Sequence, residues 1–600
     1  MVSQNLRNLI DEHEYISFDI FDTLIKRSVI RPEHVFAMVE NETPKFKGFL
    51  KKRKFAEKIA NHILPDGKAS IDDIYKYVWG YSKETKECLK QKELDVETNI
   101  IFCNQEIKEI YDYCIENKKK VILTSDMYLS SDQIKILLDK CGYNGYIKIY
   151  VSNEQKVSKG SGKIFKMILD ELNINGNQLV HIGDNYNSDY KMPKSLNINA
   201  YYYEIKKEKY GIIQNVYTSM FKELYSIRHQ AVSNEYFEWG YTKLGPALYI
   251  LADWIKSEIE KEENNIVFLA REGLILKDAV NILNKKKYKY MYASRRSLTS
   301  PAFSKMKGVG NWEGLIQNMP IGKKTKVKYV LEMLGEDFET YQGMIEKYAD
   351  KNTYVNKQNY ENVYTLIEDE LEEYSDEQNK AFMKYLKNNN MDEINSIFDL
   401  SGNGTLQFRL QQILNKNLAG YYFYVTTRNF YGLQNRKGFL NIYLPDYIKL
   451  FERYSCGLME TLFMPQHGTT LKYSLIDGEP ILLETEYCRE VLQELEDIQS
   501  GALQFVSDFV ESGIGQKICI TERDYMYEFV NALINPSEHD IKLLSGLGSA
   551  STYGSELFPV HEKDYYKRHA GEFLRDFLNS SWRAGFLSHY LRFNPLKYKI

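Results

Sequence analysis

Residues Ile16–Thr23 read I-S-F-D-I-F-D-T, and they give the clearest indication of how the N-terminal third of the chain folds. A short apolar run ends in a carboxylate at Asp19, which is typical of a buried strand that carries a charged side chain at its carboxyl end. Similar apolar segments at 120–125, 147–152 and 178–183 each precede a polar turn. Strands that alternate with helical patterns predict a parallel α/β sheet, in which the carboxyl ends of the strands meet at one edge.

Three further motifs follow in order along this predicted sheet. They read T-S-D around Ser125, K-G-S-G-K-I-F from Lys159 and H-I-G-D-N-Y-N-S-D from His181. A single Asp after a strand is usually a turn or cap residue, so one motif alone would carry little weight. The ordered set is far more specific, and it resembles the haloacid dehalogenase (HAD) superfamily.

The resemblance implies a Rossmann-like HAD domain over residues 1–205, with a helical cap inserted at about 28–112. The amphipathic stretch F-K-G-F-L-K-K-R-K-F-A-E-K-I-A-N-H-I in that segment matches such a cap, which in the family closes over the active site and selects the substrate. Most members are phosphatases or phosphoryl-transfer enzymes that use an Asp nucleophile and Mg²⁺.

The family pattern gives Asp19 the role of nucleophile, and a carboxylate that attacks phosphorus or carbon forms an aspartyl intermediate. A cation must then bridge the nucleophile and the phosphate, because the two repel each other. The resemblance implies Mg²⁺ held by Asp19, the backbone carbonyl of Phe21, Asp184 and Asp189. Oxygen ligands of this kind suit Mg²⁺.

The resemblance also implies a phosphate-binding set. Ser125 resembles the hydroxyl that hydrogen-bonds the transferred group, with Thr124 as its neighbouring candidate and Thr23 beside the nucleophile. Lys159 resembles the cation that screens the charge, and we prefer it to Lys163 because the apolar-aromatic pair of the family pattern follows it at the right distance.

One position departs from the family pattern. Most HAD phosphatases carry a second Asp two residues after the nucleophile, as the general acid for the leaving oxygen. Here that residue is Phe21, and the next carboxylate, Asp22, comes one place later. Members without this acid include dehalogenases and phosphonate-cleaving enzymes, so either Asp22 substitutes for it or the leaving group needs no proton.

A second α/β alternation predicts a further Rossmann-like domain at 263–482, after a helical connector at 206–262 and before a helical C-terminal region at 483–600. A buried helix is predicted at Tyr241–Ile255, broken near Pro246. The predicted strands of the second domain are 265–270, 289–294, 396–400, 421–426 and 439–443, with helical sequence at about 310–390.

A Gly-rich turn between a predicted strand and helix of this domain has the chemistry of a phosphate cradle. It faintly resembles the diphosphate loop of type I phosphoribosyltransferases. Arginines end two other strands, and they suit bidentate contacts to an anion. The predicted second anion site comprises Arg271, Arg295, Asp399, Ser401, Gly402, Asn403, Gly404 and Thr405, with Arg296 as a further cation. The alternative to a phosphate cradle is a tight turn that needs glycine for its backbone angles. His467 is a separate and weaker catalytic candidate in this domain.

The composition is that of an ordinary globular protein. The net charge of −4 gives no reason to expect nucleic acid as a partner. No run approaches the roughly 18 apolar residues of a membrane span, and the N-terminus lacks the apolar core of a signal peptide. The seven cysteines include no C-x-x-C pair, which favours reduced thiols in a cytoplasmic protein.

The whole layout resembles large bacterial proteins described as predicted HAD hydrolases, often found among cell-surface polysaccharide genes. The shared pieces are F-D-I-F-D-T, F-L-A-R-E-G, S-R-R-S and D-L-S-G-N-G-T-L-Q. The leading hypothesis is a Mg²⁺-dependent hydrolase or phosphotransferase that acts on a small phosphorylated sugar or nucleotide derivative, with glycan-biosynthesis enzymes as partners. The alternatives are a bifunctional transferase whose C-terminal domain does the main chemistry, and a non-catalytic scaffold of a biosynthetic complex.

Overall fold

The structure is a computed structural model in which the chain forms two compact units. One unit comprises residues 1–232 and 512–520, and the other comprises 233–511 and 521–600. The boundaries predicted for the connector, the second domain and the C-terminal region stay predictions. The described residues are 4–64, 69–205, 215–229, 234–262, 265–305, 326–333, 341–426, 432–485, 487–548, 557–562 and 564–591. Parts of the predicted connector and of the predicted helical stretch at 310–390 lie outside them.

A parallel sheet forms the centre of the first unit, in the order β5-β4-β1-β6-β7. Its strands are β1 (Tyr15–Asp19), β4 (Lys120–Ser125), β5 (Ile149–Val151), β6 (Leu179–Gly183) and β7 (Asn199–Tyr202). All four strand pairs are parallel, and β1 lies in the middle. The predicted α/β class is confirmed, and the four sequence motifs follow strands of this one sheet.

Apolar side chains on the strands and helices explain why the sheet forms. Ile122 and Tyr150 on the sheet pack with Phe165 and Ile168 of the helix Lys163–Leu172, and all four are fully buried. Each such side chain contributes about 1.5–3 kcal/mol when it leaves water. This packing fixes the helix that begins just after Lys159.

A helical insertion follows β1. The short strands β2 (Ile25–Arg27) and β3 (Ile101–Cys103) pair antiparallel and enclose it. The helices between them are His34–Glu42, Phe49–Ile63, Ile71–Lys76 and Lys83–Ile100, with a 3₁₀ turn at Pro44–Phe46. We call this segment the cap.

The remaining helices of the first unit flank the sheet or end the unit. They are Gln4–Asp11, Gln105–Glu116, Ser131–Lys140, Ser152–Gln155, Lys163–Leu172, Met192–Ser195, Val216–Arg228 and Ile514–Lys517, with a 3₁₀ turn at Gly176–Gln178 and a π-helical turn at Tyr186–Lys191.

The second unit also contains a parallel sheet, in the order β12-β11-β10-β8-β9. Its strands are β8 (Ile266–Leu269), β9 (Lys289–Met291), β10 (Ser396–Gly402), β11 (Ala419–Val425) and β12 (Arg436–Gly438). From β8 the chain first adds β9 on one side and later adds β10 on the other. The carboxyl ends of β8 and β10 therefore flank a topological switch point, the place where open α/β sheets bind ligands.

The helices of the second unit cover this sheet and form the C-terminal region. They are Glu235–Trp239, Gly245–Glu262, Gly273–Asn284, Arg295–Phe303, Val327–Met333, Gln342–Ile345, Lys357–Asn388, Thr405–Leu414, Phe439–Tyr443, Ile448–Tyr454, Cys456–Leu462, Arg489–Ser512, Glu522–Ile534, Glu538–Leu544, Tyr565–Arg568, Ala570–Asn579 and Arg583–Leu591. A π-helical turn spans Gly240–Leu244, a 3₁₀ turn spans Pro445–Tyr447, and β13 (Thr470–Tyr473) pairs antiparallel with β14 (Pro480–Leu482). Across the described residues, the helices lack the combination of length and apolarity that a membrane crossing requires.

Two predicted elements differ from the structure. Phe439–Tyr443 is a short helix and not a strand. The neighbours Phe439 and Leu440 are both buried, which a half-buried strand does not allow, and Asn441 bonds both backbone groups of Val425 at the end of β11. The predicted break near Pro246 takes the form of a change of helix type, because the π-helical turn Gly240–Leu244 runs directly into the α-helix Gly245–Glu262 and the chain stays helical past this proline.

Candidate active site

Asp19 is the last residue of β1, and it lies between β4 and β6 at the carboxyl edge of the first sheet. It is 6% exposed. The hydroxyl of Thr23 donates a hydrogen bond of 3.1 Å to its Oδ2. Thr23 lies in the turn after the strand, so the local chain path orients the carboxylate of the predicted nucleophile.

Lys159 joins two of the predicted carboxylates. Its Nζ contacts Oδ1 of Asp19 and lies 2.7 Å from Oδ1 of Asp189, and its side chain is 4% exposed. Its backbone N–H donates to both carboxylate oxygens of Asp126, at 3.0 and 3.2 Å. Asp126 is the third residue of the T-S-D motif and had no predicted role, although the motif itself pointed to it.

Three carboxylates at this edge form a group that suits a metal ion. One oxygen from each of Asp19, Asp184 and Asp189 lies within 4.8 Å of the others. The N–H of Asn185 donates to Oδ2 of Asp189 at 3.0 Å, which fixes that side chain. Hard oxygen donors at this spacing fit Mg²⁺.

The carboxylates differ in their electrostatics. Burial, together with the charges of Asp189 and Asp184, raises the pKa of Asp19 to about 8 against the influence of Lys159. Burial also opposes ionisation of Asp189, but Lys159 and His181 outweigh it and lower its pKa. Burial disfavours the charge on Lys159, and the neighbouring carboxylates outweigh that effect and raise its pKa. A further cation at this edge would favour the ionised form of Asp19.

His181 supports the site from within the sheet. Its Nδ1 lies 2.8 Å from Ser17 Oγ and its Nε2 lies 3.2 Å from Asp189 Oδ1. A Cβ at Gly183 would lie 2.6 Å from Asp189, so a side chain there would displace the carboxylate. The sequence motif contained both residues, but their positioning roles depend on contacts between strands.

The remaining predicted phosphate-binding residues end β4, next to Asp19. Thr124 pairs with Asp19 in the strand register, and its hydroxyl lies 3.5 Å from the carbonyl of Phe18. Ser125 is the last residue of the strand and is 2% exposed. The structure therefore brings Thr23, Thr124 and Ser125 to the same strand edge as Asp19.

Phe21 and Asp22 lie on the side of the site that faces the cap. The guanidinium carbon of Arg27 lies 4.4 Å from the centre of the Phe21 ring. Asp22 has a left-handed φ of 62°, and its N–H donates to the carbonyl of Ile25. Burial disfavours the charge on Arg27, but the nearby acids, including Glu97 and Asp22, outweigh it and raise its pKa.

Two buried ion pairs, neither of them predicted, brace the cap: one joins β2 to a cap helix and the other joins two cap helices. Arg27 Nε lies 2.6 Å from Glu97 Oε1, with side-chain exposures of 7% and 4%. Arg53 is fully buried and makes two bonds of 2.8 Å to Glu93. Burial, and then the negative charge of Glu93, raise the pKa of Tyr128 well above its usual range.

A cavity of about 440 Å³ opens beside these pairs. The loop after β4 lines it with Asp126 and Tyr128, and the cap lines it with Phe36 and Lys54. The backbone carbonyl of Tyr128 accepts the N–H of Ile71 in the cap. The cavity thus lies between the strand edge that carries the motifs and the helical insertion.

In the second unit, packing explains the glycines of the predicted cradle. A Cβ at Gly402 would lie 2.3 Å from the carbonyl oxygen of Tyr424, and Gly404 has a φ of +79°. The carbonyl of Gly402 accepts from Arg436, and Asn403 accepts from Thr426. The side chain of Ser401 lies outside the described residues. These glycines therefore give no argument for a phosphate.

The other predicted residues of the second unit lie at or near the ends of its strands. Arg271 follows β8, Asp399 lies on β10, and Arg295 begins the helix after β9. Thr405 begins the helix after β10. His467 packs between Tyr290 and Tyr292 and lies 2.8 Å from the Tyr290 hydroxyl, so its ring is already engaged by neighbours.

Comparison with known proteins assigns the first sheet to a family. Residues 14–197 match the family model of the haloacid dehalogenase-like hydrolases. This range contains all four motifs and the cap. Residues 14–197 are therefore a HAD-like hydrolase domain, as the motifs predicted. No curated protein matches the chain.

Solved structures align with about a third of the chain. The 2-haloacid dehalogenase of Pseudomonas syringae pv. Tomato DC3000 is 13% identical over 34% of this chain and 92% of its own, with a TM-score of 0.27. The L-2-haloacid dehalogenase of Xanthobacter autotrophicus is 11% identical over 31% and 76%, with a TM-score of 0.24. A HAD family enzyme of Bacteroides thetaiotaomicron, solved with magnesium and inorganic phosphate, is 17% identical over 33% and 97%, with a TM-score of 0.24.

Proposed function

We propose that the HAD-like domain is a Mg²⁺-dependent hydrolase or phosphotransferase that acts on a small phosphorylated metabolite, a sugar or nucleotide derivative. The observation that carries the proposal is the set of contacts around Lys159, which touches Asp19 and Asp189 at the strand edge where Asp184 also lies. One cation and three carboxylates are the groups that phosphoryl transfer to an Asp requires.

Each residue then has a chemical task. Asp19 attacks phosphorus, the P–O bond to the leaving group breaks, and an aspartyl phosphate forms. Water then attacks this phosphorus, which releases inorganic phosphate and regenerates the carboxylate of Asp19. Thr23 orients the nucleophile, Lys159 screens the charge between nucleophile and phosphoryl group, and Ser125 donates a hydrogen bond to the transferred group. Mg²⁺, held by Asp19, the carbonyl of Phe21, Asp184 and Asp189, would supply the positive charge that lets an anionic nucleophile approach an anionic substrate.

The cavity between the strand edge and the cap supports a small substrate. Its volume of about 440 Å³ suits one sugar or nucleoside unit. Lys54 and Asp126 on its wall provide both a cation and an anion, so a substrate with hydroxyl groups as well as charge fits better than an apolar one.

A panel of phosphorylated metabolites tests this proposal directly. We expect phosphate release from a sugar or nucleotide phosphate in the presence of Mg²⁺ and loss of the activity with a chelator. Phosphate release that is equally fast with and without the metal would contradict the assigned role of Asp184 and Asp189.

Phe21 favours a second candidate, in which the leaving group departs without a proton. A 2-haloacid is such a substrate, because halide is a weak base. The panel should therefore include 2-haloacids. If the protein releases halide but no phosphate, the reaction at Asp19 is carbon–halogen cleavage and not phosphoryl transfer.

Phe21→Asp is expected to raise turnover of an alkyl phosphate more than that of an aryl phosphate, because only the poor leaving group needs a proton. General acid catalysis contributes about 10²–10⁴-fold. The gain should fall at the low end of this range, because Arg27 lies 4.4 Å from the ring and would keep the new carboxylate ionised. The measurement is kcat/KM for both esters.

The matched variant is Phe21→Asn, because the Asn side chain has the same shape as Asp but holds no acidic proton. It should change both esters alike. If Asn raises the alkyl ester as much as Asp does, relief of steric hindrance and not proton donation explains the effect.

The biological setting belongs to the same proposal. The resemblance to large bacterial proteins of polysaccharide gene clusters favours a bacterial role in surface-glycan biosynthesis, with other enzymes of that process as partners. All seven cysteines are free thiols, which supports a reducing compartment such as the cytoplasm.

A further inference from the structure

A second group of charged side chains lies at the switch point of the sheet in the second unit. Arg271 and Glu272 lie two and three residues after the end of β8, and Asp399 lies on the adjacent β10, one residue beyond the register pair Phe398 and Phe268. Glu460 lies on the helix Cys456–Leu462, and Cys456 Sγ lies 3.5 Å both from its carboxylate and from the hydroxyl of Tyr424 near the end of β11. These residues come from three separate segments, so the fold and not the local sequence assembles them.

The carboxylates of this group repel each other and are incompletely balanced by arginine. Burial and the charge of Glu272 raise the pKa of Asp399 to about 8, although Arg295 opposes this. Burial and Glu272 also raise the pKa of Glu460 to about 7, against Arg271 and Arg295. Within the described part of the chain, Arg271 pairs with Glu272 at 3.5 Å, and neither Asp399 nor Glu460 takes part in an ion pair.

An aromatic wall lies beside the arginine. The hydroxyl of Tyr290 donates to the carbonyl of Arg271 at 3.2 Å. The rings of Tyr290 and Tyr292 lie 5.1 Å apart, and His467 packs on both. Tyr290 thus holds the Arg271 backbone, and the guanidinium of Arg271 lies 3.5 Å from the carboxylate of Glu272.

The mixture of charges limits the ligands that fit. A bare anion would meet three carboxylates. A bare divalent ion lacks a close set of ligands here, since the acidic side chains that lie close enough together among the described residues are Asp19, Asp184 and Asp189 in the first unit. A ligand that carries both an anionic group and several hydroxyls satisfies both kinds of side chain: arginines bind phosphate, and carboxyl groups accept from hydroxyl groups whether or not they are ionised.

We propose that the switch point of the second unit binds a phosphorylated sugar, with the phosphate on Arg271 and Arg295 and the sugar hydroxyls on Asp399 and Glu460. The site is separate from the HAD-like hydrolase site and does not depend on the function proposed for it. Ligands of open α/β sheets bind at the carboxyl ends of the strands beside a switch point, which is where these side chains lie.

Calorimetry on the full chain carrying Asp19→Asn tests the proposal without turnover at the first site. The probes are glucose 1-phosphate, UDP-glucose and inorganic phosphate. Both sugar phosphates should bind at least tenfold more tightly than inorganic phosphate, because only they engage the carboxylates. If UDP-glucose binds more tightly than glucose 1-phosphate, the ligand is a nucleotide-linked sugar. If the two bind equally, the ligand is a simple sugar phosphate.

Variants separate the two halves of the site. Asp399→Asn and Glu460→Gln should weaken both sugar phosphates at least tenfold and leave inorganic phosphate unchanged, whereas Arg295→Ala should weaken all three probes. Arg295 is exposed, so its replacement does not disturb the interior. The exposed Glu479→Gln is the matched control and should bind like the parent.

Two results would overturn the site. One is the absence of binding by both sugar phosphates at millimolar concentration. The other is binding that Asp399→Asn, Glu460→Gln and Arg295→Ala all leave unchanged, which would place the ligand elsewhere. Circular dichroism melting of each variant shows whether a loss of binding reflects a loss of folding.

Discussion

Asp19→Asn is expected to reduce turnover at the HAD-like domain by several orders of magnitude while the chain stays folded. The amide has the same shape as the carboxylate but cannot attack phosphorus or carbon. Losses of about 10⁴–10⁶-fold are known for essential catalytic groups. The measurement is kcat with the best substrate of the metabolite panel, and thermal melting of the variant checks the fold.

The environment of Asp19 also predicts how the Asp19→Asn change affects folding stability. Burial and the neighbouring acids raise the pKa of Asp19 to about 8, so the wild-type carboxyl is costly to ionise in the protein. The neutral amide removes that cost, and the variant should therefore be at least as stable as the wild type while it is inactive. A catalytic group is often destabilising in this way.

Asp139→Asn is the matched control, because Asp139 pairs with Lys135 on the surface at an exposure of 51%. It should retain full activity. If Asp19→Asn keeps turnover within tenfold of the wild type, Asp19 is not the nucleophile, and the family likeness of the domain would not extend to its chemistry.

The HAD-like domain could be predicted from sequence because its motifs are local. Asp19 and Ser125 end buried strands, and Lys159 lies just before a helix with a clear apolar face, so topology alone brings them to one edge. The same reasoning applied to the second unit predicted its sheet. It was wrong at Phe439–Tyr443, because a short apolar run fits a strand and a buried helical turn equally well.

The cap interactions could not be predicted. Arg27 and Glu97 are 70 residues apart in sequence, and Arg53 and Glu93 are 40 apart. In sequence, Arg53, Glu93 and Glu97 are charged residues on helical segments and Arg27 ends a short strand, and solvation is the ordinary interpretation of each. Their pairing depends on how the cap helices pack. The proximity of Asp399 and Glu460 could not be predicted for the same reason, since no local sequence pattern links a strand residue to a helix of a later segment.

Arg53→Met is expected to destabilise the cap by about 3–5 kcal/mol, which is the usual cost of removing one partner of a buried ion pair. Glu93 is 2% exposed and would keep a buried charge, with Tyr75 as a remaining hydrogen-bond donor at 2.9 Å. The two compact units need not unfold together, so hydrogen exchange of the cap helices is a better measurement than one melting curve. Amides of Phe49–Ile63 should exchange about 10²–10⁴-fold faster if exchange follows local opening.

The double variant Arg53→Met with Glu93→Met separates the cost of an unpaired charge from the worth of the pair. Replacement of a buried pair by apolar residues is often neutral or stabilising, so the double variant should recover most of the protection that the single variant loses. Lys135→Met breaks an exposed pair and should change exchange little, because surface pairs contribute about 0–1 kcal/mol. A single variant with wild-type exchange would mean that Glu93 takes up a proton or reaches water when Arg53 is absent. A double variant as unprotected as the single one would mean instead that Arg53 holds the cap through its contacts with the rings of Phe36 and Tyr128, at 4.3 and 5.1 Å, and not through its charge on Glu93.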